Sequence, residues 1–195
     1  PRRDAVLLAN PLSSEQPSLT TSLFIGLLRS ANLNVSRGHD DIALFEVARV
    51  FKPNHDVEAP IYGVDRRPSE SEYAALNAAL PSQPHHAAWV MLGNKTKAGI
   101  ETQADAYLWS DAIAVAKDLA RVLNLEISGE PARIAPYHPG RGAALTLNGE
   151  VIGHAGELDP RISQTHGLPG RVLAGEIDLD ALIHAAPAVG QKPDF

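Results

Sequence analysis

Two segments of the chain carry apolar residues at helical spacing. Leu23, Phe24, Leu27, Leu28, Ala31 and Val35 form the first series, with Gly38 just beyond, which predicts an amphipathic helix over 23–35. Thr21 and Ser22 stand before it as N-cap candidates, because a short hydroxyl accepts from the orphan amides of a first turn. Trp109, Ala112, Ile113, Ala116, Leu119, Ala120 and Leu123 mark a second helix of about four turns. Elsewhere the pattern is that of strands. "AVLLAN" (Ala5 to Asn10) reads as a short buried strand stopped by Pro11. "DIALFEVARVFKP" alternates from Ile42 to Phe51 and ends at Pro53, and "AAWVML" is strand-like. "GAALTLNGEVIGHAGEL" is two β runs joined at Asn148-Gly149, the preferred hairpin dipeptide. Asp159-Pro160 predicts a short helix with proline first, and "RVLAGEIDLDALI" a strand running into a helix. Between His55 and His86 the chain is polar and Pro-rich, with one short helix predicted at Glu70 to Leu80. Hairpins with interspersed helices and no internal repeat predict an α+β fold on an antiparallel sheet.

Composition narrows the class. A chain of 195 residues, 44% hydrophobic and 21% charged, can bury a sizeable core as one soluble domain. No window approaches the roughly 18 apolar residues of a membrane span. The opening "PRRDAVLLANPLSS" has too short an apolar run for a signal peptide. Absence of cysteine removes disulfides and thiolate metal sites and fits a reducing, cytoplasmic setting. A net charge of −6 with scattered basic residues argues against tight binding of nucleic acid by this chain alone. It begins almost directly in a predicted strand and stops at "GQKPDF" without a closing element, which reads as a piece of a larger protein.

Several clusters invite chemistry, and each has a plainer reading. The hydroxyl residues of "NPLSSEQPSLTTS" lack a G-x-S-x-G elbow, so capping and turn formation account for them. His138, His154, Glu157 and His166 are the densest set of potential metal ligands. However, residues three apart on a strand point to opposite faces, which is poor for one shared ion, and hydrogen-bonded histidines are the plainer reading. "YHPGRGA" (Tyr137 to Ala143) has glycine beside arginine but neither the lysine nor the helix of a phosphate loop; it reads as a tight Pro-Gly turn with Arg141 at an exposed bend. Glu176, Asp178 and Asp180 alternate, which predicts one strand face carrying three solvated carboxylates.

Four runs, "NPLSSEQPSLTTSLFIGLLRS", "LFEVARVF", "YHPGRGAALTLNGEVIGHAGELDP" and "LPGRVLAGEIDLDAL", together resemble the β subunit of bacterial phenylalanyl-tRNA synthetase, in the catalytic-like module of that subunit. The resemblance covers almost the whole chain and is weakest from His55 to Ala104. It implies a class II aminoacyl-tRNA synthetase-like fold, an antiparallel sheet flanked by helices, with residues 1–195 as a single module of a longer subunit. It further implies that aminoacylation belongs to an α subunit, while the β module keeps the fold and has lost the chemistry. Active class II enzymes carry Phe-Arg-x-Glu in motif 2, where the arginine grips the ATP α-phosphate; the matching run here is Phe51, Lys52, Pro53 and Asn54. Active motif 3 reads Gly-x-Gly-x-Glu-Arg, and the matching run has Glu176, Asp178 and Asp180 with Ala181 in place of the arginine. Where the family often has an arginine before its Thr-Ser, Thr20 stands.

The expectation is therefore a non-catalytic structural module of phenylalanine–tRNA ligase, packing against the α subunit in an α2β2 complex and helping to frame tRNA(Phe). No catalytic residue, metal or cofactor is expected in the chain itself, with ATP and Mg²⁺ used in the parent complex. Tyr137, His138 and Arg141 are the candidate interface or tRNA-proximal residues. The alternatives are an active class II adenylating enzyme, a metal-dependent hydrolase built on His138, His154 and His166, and a free-standing interaction domain. The apolar face of the first helix (Leu23, Phe24, Leu27, Leu28, Ala31) is expected to contribute to an exposed partner surface.

Overall fold

A computed structural model describes residues 5–54 and 59–187. The backbone falls into two compact units, Pro1–Ser22 with Arg49–Pro84, and Leu23–Ala48 with His85–Phe195.

The second unit holds the core. Helix α1 (Phe24–Ser36) leads into strand β1 (Ile42–Arg49), whose last residue falls to the first unit. After β2 (His85–Leu92) come a small ribbon of β3 (Asn94–Thr96) and β4 (Asp105–Ala106), helix α3 (Trp109–Val122) and β5 (Ser128–Pro131). Then follow β6 (Tyr137–Leu147), β7 (Glu150–Leu158), α4 (Pro160–Thr165), β8 (Val172–Asp178) and α5 (Leu179–Ala185). The main sheet has six strands in the order β1-β2-β8-β7-β6-β5, and the pairs β2–β8, β8–β7, β7–β6 and β6–β5 are all antiparallel. An α+β fold on an antiparallel sheet is thus observed.

The sheet is covered on both sides. Ala112, Ala116 and Ala120, one turn apart on α3, are fully buried, and their small side chains let the helix lie close to β6, β7 and β8. Trp89, Leu145, Leu173, Ile177 and Leu182 complete that cluster. Trp89 donates its indole N–H to the carbonyl of Ala112 at 3.1 Å, and its ring lies where any side chain at Gly175 would have to go. Helix α1 packs on β2, burying Phe24, Leu27, Leu28 and Ala31. Its apolar face is therefore core. The expected partner surface is not there, because Leu23, Phe24, Leu27, Leu28 and Ala31 are all buried within the protein.

Other expectations are corrected by geometry. Helix α1 has Leu23 at its N-cap with no side-chain cap bond, so neither Thr21 nor Ser22 caps it; Thr20 instead donates its hydroxyl to the carbonyl of Ser22. The predicted hairpin is present, with Asn148 and Gly149 at φ 51° and 86°. "YHPGRGA" is not a turn between elements. It lies within β6, at an irregularity where Tyr137 pairs with Leu158 and Gly142 with Gly156. The five steps from Tyr137 to Gly142 answer two steps on β7, so β6 carries three extra residues within 138–141.

In the first unit, "AVLLAN" makes a single bridge, Leu7 with Ser18, rather than a strand. It is not buried: Leu7 and Leu8 are 73% and 42% exposed. Helix α2 (Glu70–Ala78) realises the helix expected near 70–80. It starts in a capping box, with the Ser69 hydroxyl accepting from the Glu72 amide and the Glu72 carboxylate from the Ser69 amide. Arg66 forks onto the same carboxylate at 2.6 and 2.8 Å, and this pair holds the Glu72 carboxyl down at about 2. Residues 55–58, inside the stretch left open by the sequence, lie outside those described.

Candidate functional site

Among the described residues, a dense polar constellation lies where β8 passes into α5, beside the start of β2. Antiparallel register sets His86 opposite Asp178 and Ala88 opposite Glu176, and β7 sets His154 opposite Glu176. Pleating puts His86, Glu176, Asp178 and His154 on one face. His86 Nδ1 lies 2.7 Å from Glu176 Oε1, and its Nε2 lies 3.8 Å from Asp178 Oδ2. Glu176 is only 6% exposed, so the histidine supplies the hydrogen bond that a buried carboxylate requires.

Asp178 ends the strand and begins the helix. Its carboxylate accepts from the Ala181 amide at 3.0 Å, an N-cap. Asp180 is therefore on α5, not on the strand face expected from alternation. It turns to His85, accepting the backbone N–H at 3.0 Å with the ring Nδ1 at 3.3 Å. The backbone bond from His85, and then its ring, hold the Asp180 carboxyl below the usual carboxylate range. The three carboxylates are thus bound to histidine or backbone, not a bare solvated row. Among the described residues, no group of three or more histidine, aspartate or glutamate side chains is arranged to hold a metal ion.

A second constellation surrounds the irregular part of β6. Arg141 Nη1 donates to Glu157 Oε1 at 2.7 Å; Glu157 is 4% exposed, and Arg171 Nε stands 4.0 Å from the same oxygen. Tyr137 is buried rather than presented. Its ring meets Phe24 edge-on at 6.3 Å, and its hydroxyl donates to the His154 carbonyl. His138 Nδ1 accepts from the Gly140 amide at 3.2 Å. Beyond Arg141 an open groove of about 370 Å³ runs between α3 and the β5–β6 edge, walled by Trp109, Ile113, Lys117, Gly129 and Gly142. His138, His154 and His166 are spread over β6, β7 and the end of α4 and do not converge on one ion.

The motif 2-like run belongs to the first unit. The Phe51 amide donates to the Thr20 carbonyl at 2.8 Å, and Lys52 pairs with Ser82 through both backbone groups. Lys52 and Asn54 are exposed. His85 and His86, which organise the β8–α5 junction, were not singled out in the sequence. Their signal was a histidine pair at the head of the apolar run "AAWVML", since polar residues opening a buried strand need partners.

Comparisons with known proteins agree with one another. The family described as phenylalanyl tRNA synthetase beta chain CLM domain matches residues 1–179. A phenylalanine–tRNA ligase beta subunit of Thermobifida fusca is 46% identical over 200 residues, which take in 100% of this chain and 24% of the relative. Those of Streptomyces avermitilis and Cutibacterium acnes are 44% and 43% identical, covering 99% and 97% of this chain. The chain spans about a quarter of the length of these relatives.

Proposed function

This chain belongs to the phenylalanyl-tRNA synthetase beta chain CLM domain family, and on that premise we propose that it is a non-catalytic structural module of phenylalanine–tRNA ligase. In this reading it packs against the catalytic α subunit in an α2β2 complex and supports aminoacylation of tRNA(Phe) in the cytoplasm. The whole of residues 1–195 corresponds to one class II synthetase-like, catalytic-like module. ATP and Mg²⁺ are used by the parent complex and not by this chain. His138 and Arg141 are the side chains offered to a partner or to tRNA, with Tyr137 anchoring their strand from within the core.

The observation that carries the reading is the β8–α5 junction. If Glu176, Asp178, Asp180 and Ala181 occupy the motif 3 positions, a triphosphate would meet three carboxylates and no arginine. The junction does not fit that group, because like charges at low effective dielectric repel by kilocalories. Two of those carboxylates are held by His85 and His86, and the third caps α5, which supports a structural rather than a nucleotide-binding use of these positions. At the motif 2 positions, Lys52 and Asn54 lack the arginine fork and the glutamate.

Two measurements test this. Co-expression with a cognate α subunit should give a stable complex containing this chain, and calorimetric titration of the isolated chain with Mg·ATP should give no binding heat. Saturable ATP binding would favour the adenylating alternative. Failure to co-purify with α would favour a free-standing interaction domain.

A further inference from the structure

Helix α3 covers only part of its face of the main sheet. The cluster that it buries includes Leu145 and Leu147 of β6 and Leu173 and Ile177 of β8. Antiparallel partners share a face, so Gly129, opposite Leu145, and Pro131, opposite Ala143, lie on the same side of the sheet as α3. Yet all four residues of β5 are exposed. This end strip of the sheet is the floor of the groove of about 370 Å³, with Trp109, Ile113 and Lys117 of α3 as its wall. Wall and floor meet at Gly129, where an added Cβ would stand 3.3 Å from an Ile113 methyl. Elsewhere the floor is glycine, proline and alanine, side chains small enough for another backbone to come close.

We propose that this groove is a docking site for an acidic amphipathic helix of a partner protein, laid beside α3 over β5 and the adjoining part of β6. Shape selects a helix. A sheet face in an α+β fold is buried under helices, and a second helix beside α3 completes the layer. β5 is the sheet's edge, but it is four residues long and closes on Pro131, two features that discourage addition of a strand. Charge selects an acidic one. The groove is lined by Lys117 and Arg141 and by no aspartate or glutamate, in a chain whose net charge is −6. Lys117 is exposed and makes no ion pair or hydrogen bond among the described residues. Arg141 is engaged by Glu157 at 2.7 Å, but Arg171 stands 4.0 Å from the same oxygen, so two guanidinium groups share one carboxylate. The complement of this surface is an apolar stripe set on Ile113 and on Trp109, which is 46% exposed, with carboxylates beside it that reach Lys117. Two cations are too few to hold a nucleic-acid backbone by phosphate neutralisation. This inference goes beyond the proposed synthetase role and does not depend on it.

The probe is a synthetic peptide of about 20 residues, long enough to be helical in water, with a leucine stripe at helical spacing flanked by glutamates. Its titration into the 195-residue chain is read at the indole N–H signals of the two tryptophans. Trp109 should shift saturably, while Trp89, 3% exposed and bonded to the Ala112 carbonyl, should stay in place. Trp109→Phe assigns the two signals. The same peptide with lysine for every glutamate should leave Trp109 unmoved, and so should an acidic peptide broken by a central proline. Lys117→Glu, at an exposed position, should weaken the acidic peptide about tenfold or more and admit the lysine version. An acidic peptide that leaves Trp109 unmoved overturns the proposal, as does equal binding of the lysine or proline version, or binding indifferent to Lys117→Glu. Single-stranded oligouridylate that displaced the acidic peptide from Trp109 would make the groove a nucleic-acid site and also overturn it.

Discussion

At the scale of single residues, Arg141 shows how position changes a role. On an exposed bend it would be a contact residue whose loss leaves the fold untouched. In the structure it is the nearest positive charge to a carboxylate that is 4% exposed. Removing one partner of such a pair leaves the other buried without its bond, at a cost of about 1–3 kcal/mol. Arg171, 4.0 Å from the same oxygen, offsets part of that. Arg141→Ala should therefore lower the urea midpoint measurably, and Glu157→Gln should recover part of the loss in the double variant. Equal midpoints for Arg141→Ala and the parent would return Arg141 to a purely external role. The residue types of this pair were visible in the sequence, but their meeting was not. Residues 141 and 157 meet at the irregularity between the Tyr137–Leu158 and Gly142–Gly156 pairs, where β6 carries extra residues and the register shifts. The same holds for His86 and Glu176, ninety positions apart and joined by a strand pairing that periodicity does not specify.

At the scale of elements, local patterning predicted existence better than surroundings. Helical spacing located α1 and α3 to within a residue or two, and Asn148-Gly149 located its hairpin, because these depend on near neighbours. What covers a helix depends on the rest of the chain, so the stripe of α1 was misjudged as outward. "AVLLAN" failed for a related reason: an apolar run needs a partner ladder to be a buried strand, and here it finds one bridge. Two predictions belong here. Gly149→Ala should destabilise the β6–β7 hairpin by about 1 kcal/mol, since φ is 86° and a Cβ is strained there though nothing obstructs it; thermal unfolding would read the shift. Helix α4 should loosen in acid. Its N-cap Asp159 accepts from the Arg161 amide at 2.9 Å and pairs with the Arg161 guanidinium, which together hold its carboxyl down at about 2. A carboxyl lowered on folding stabilises above its unfolded value of about 3.9, and the contribution fades as pH falls towards 2. Amide protection in residues 160–165 should fall across that window, and Asp159→Asn should flatten the response.

At the scale of the whole molecule, family membership and the filled β8–α5 junction bear on how deeply the proposed loss of chemistry is built in. A site that had lost only two cationic side chains would be open to simple repair. Lys52→Arg together with Ala181→Arg would then restore some amino-acid-dependent ATP–pyrophosphate exchange. The geometry argues otherwise. Glu176 is buried against His86, Asp178 is spent on capping α5, and Asp180 is bound to the backbone of His85. An arginine at 181 would stand on the residue whose amide the Asp178 carboxylate accepts, so it would find that carboxylate beside it and be neutralised within the protein. Clearing the carboxylates is no simpler, because Asp178→Gly removes the helix cap and Glu176→Gly strips His86 of its partner. The double arginine variant should therefore fold and show exchange at background. Adding Glu176→Gly and Asp178→Gly should lower stability by about 1–3 kcal/mol, from a lost cap and a lost buried hydrogen bond, still without exchange. Exchange above background in the double arginine variant would mean that the nucleotide site persists beneath its substitutions, and the non-catalytic reading would fail.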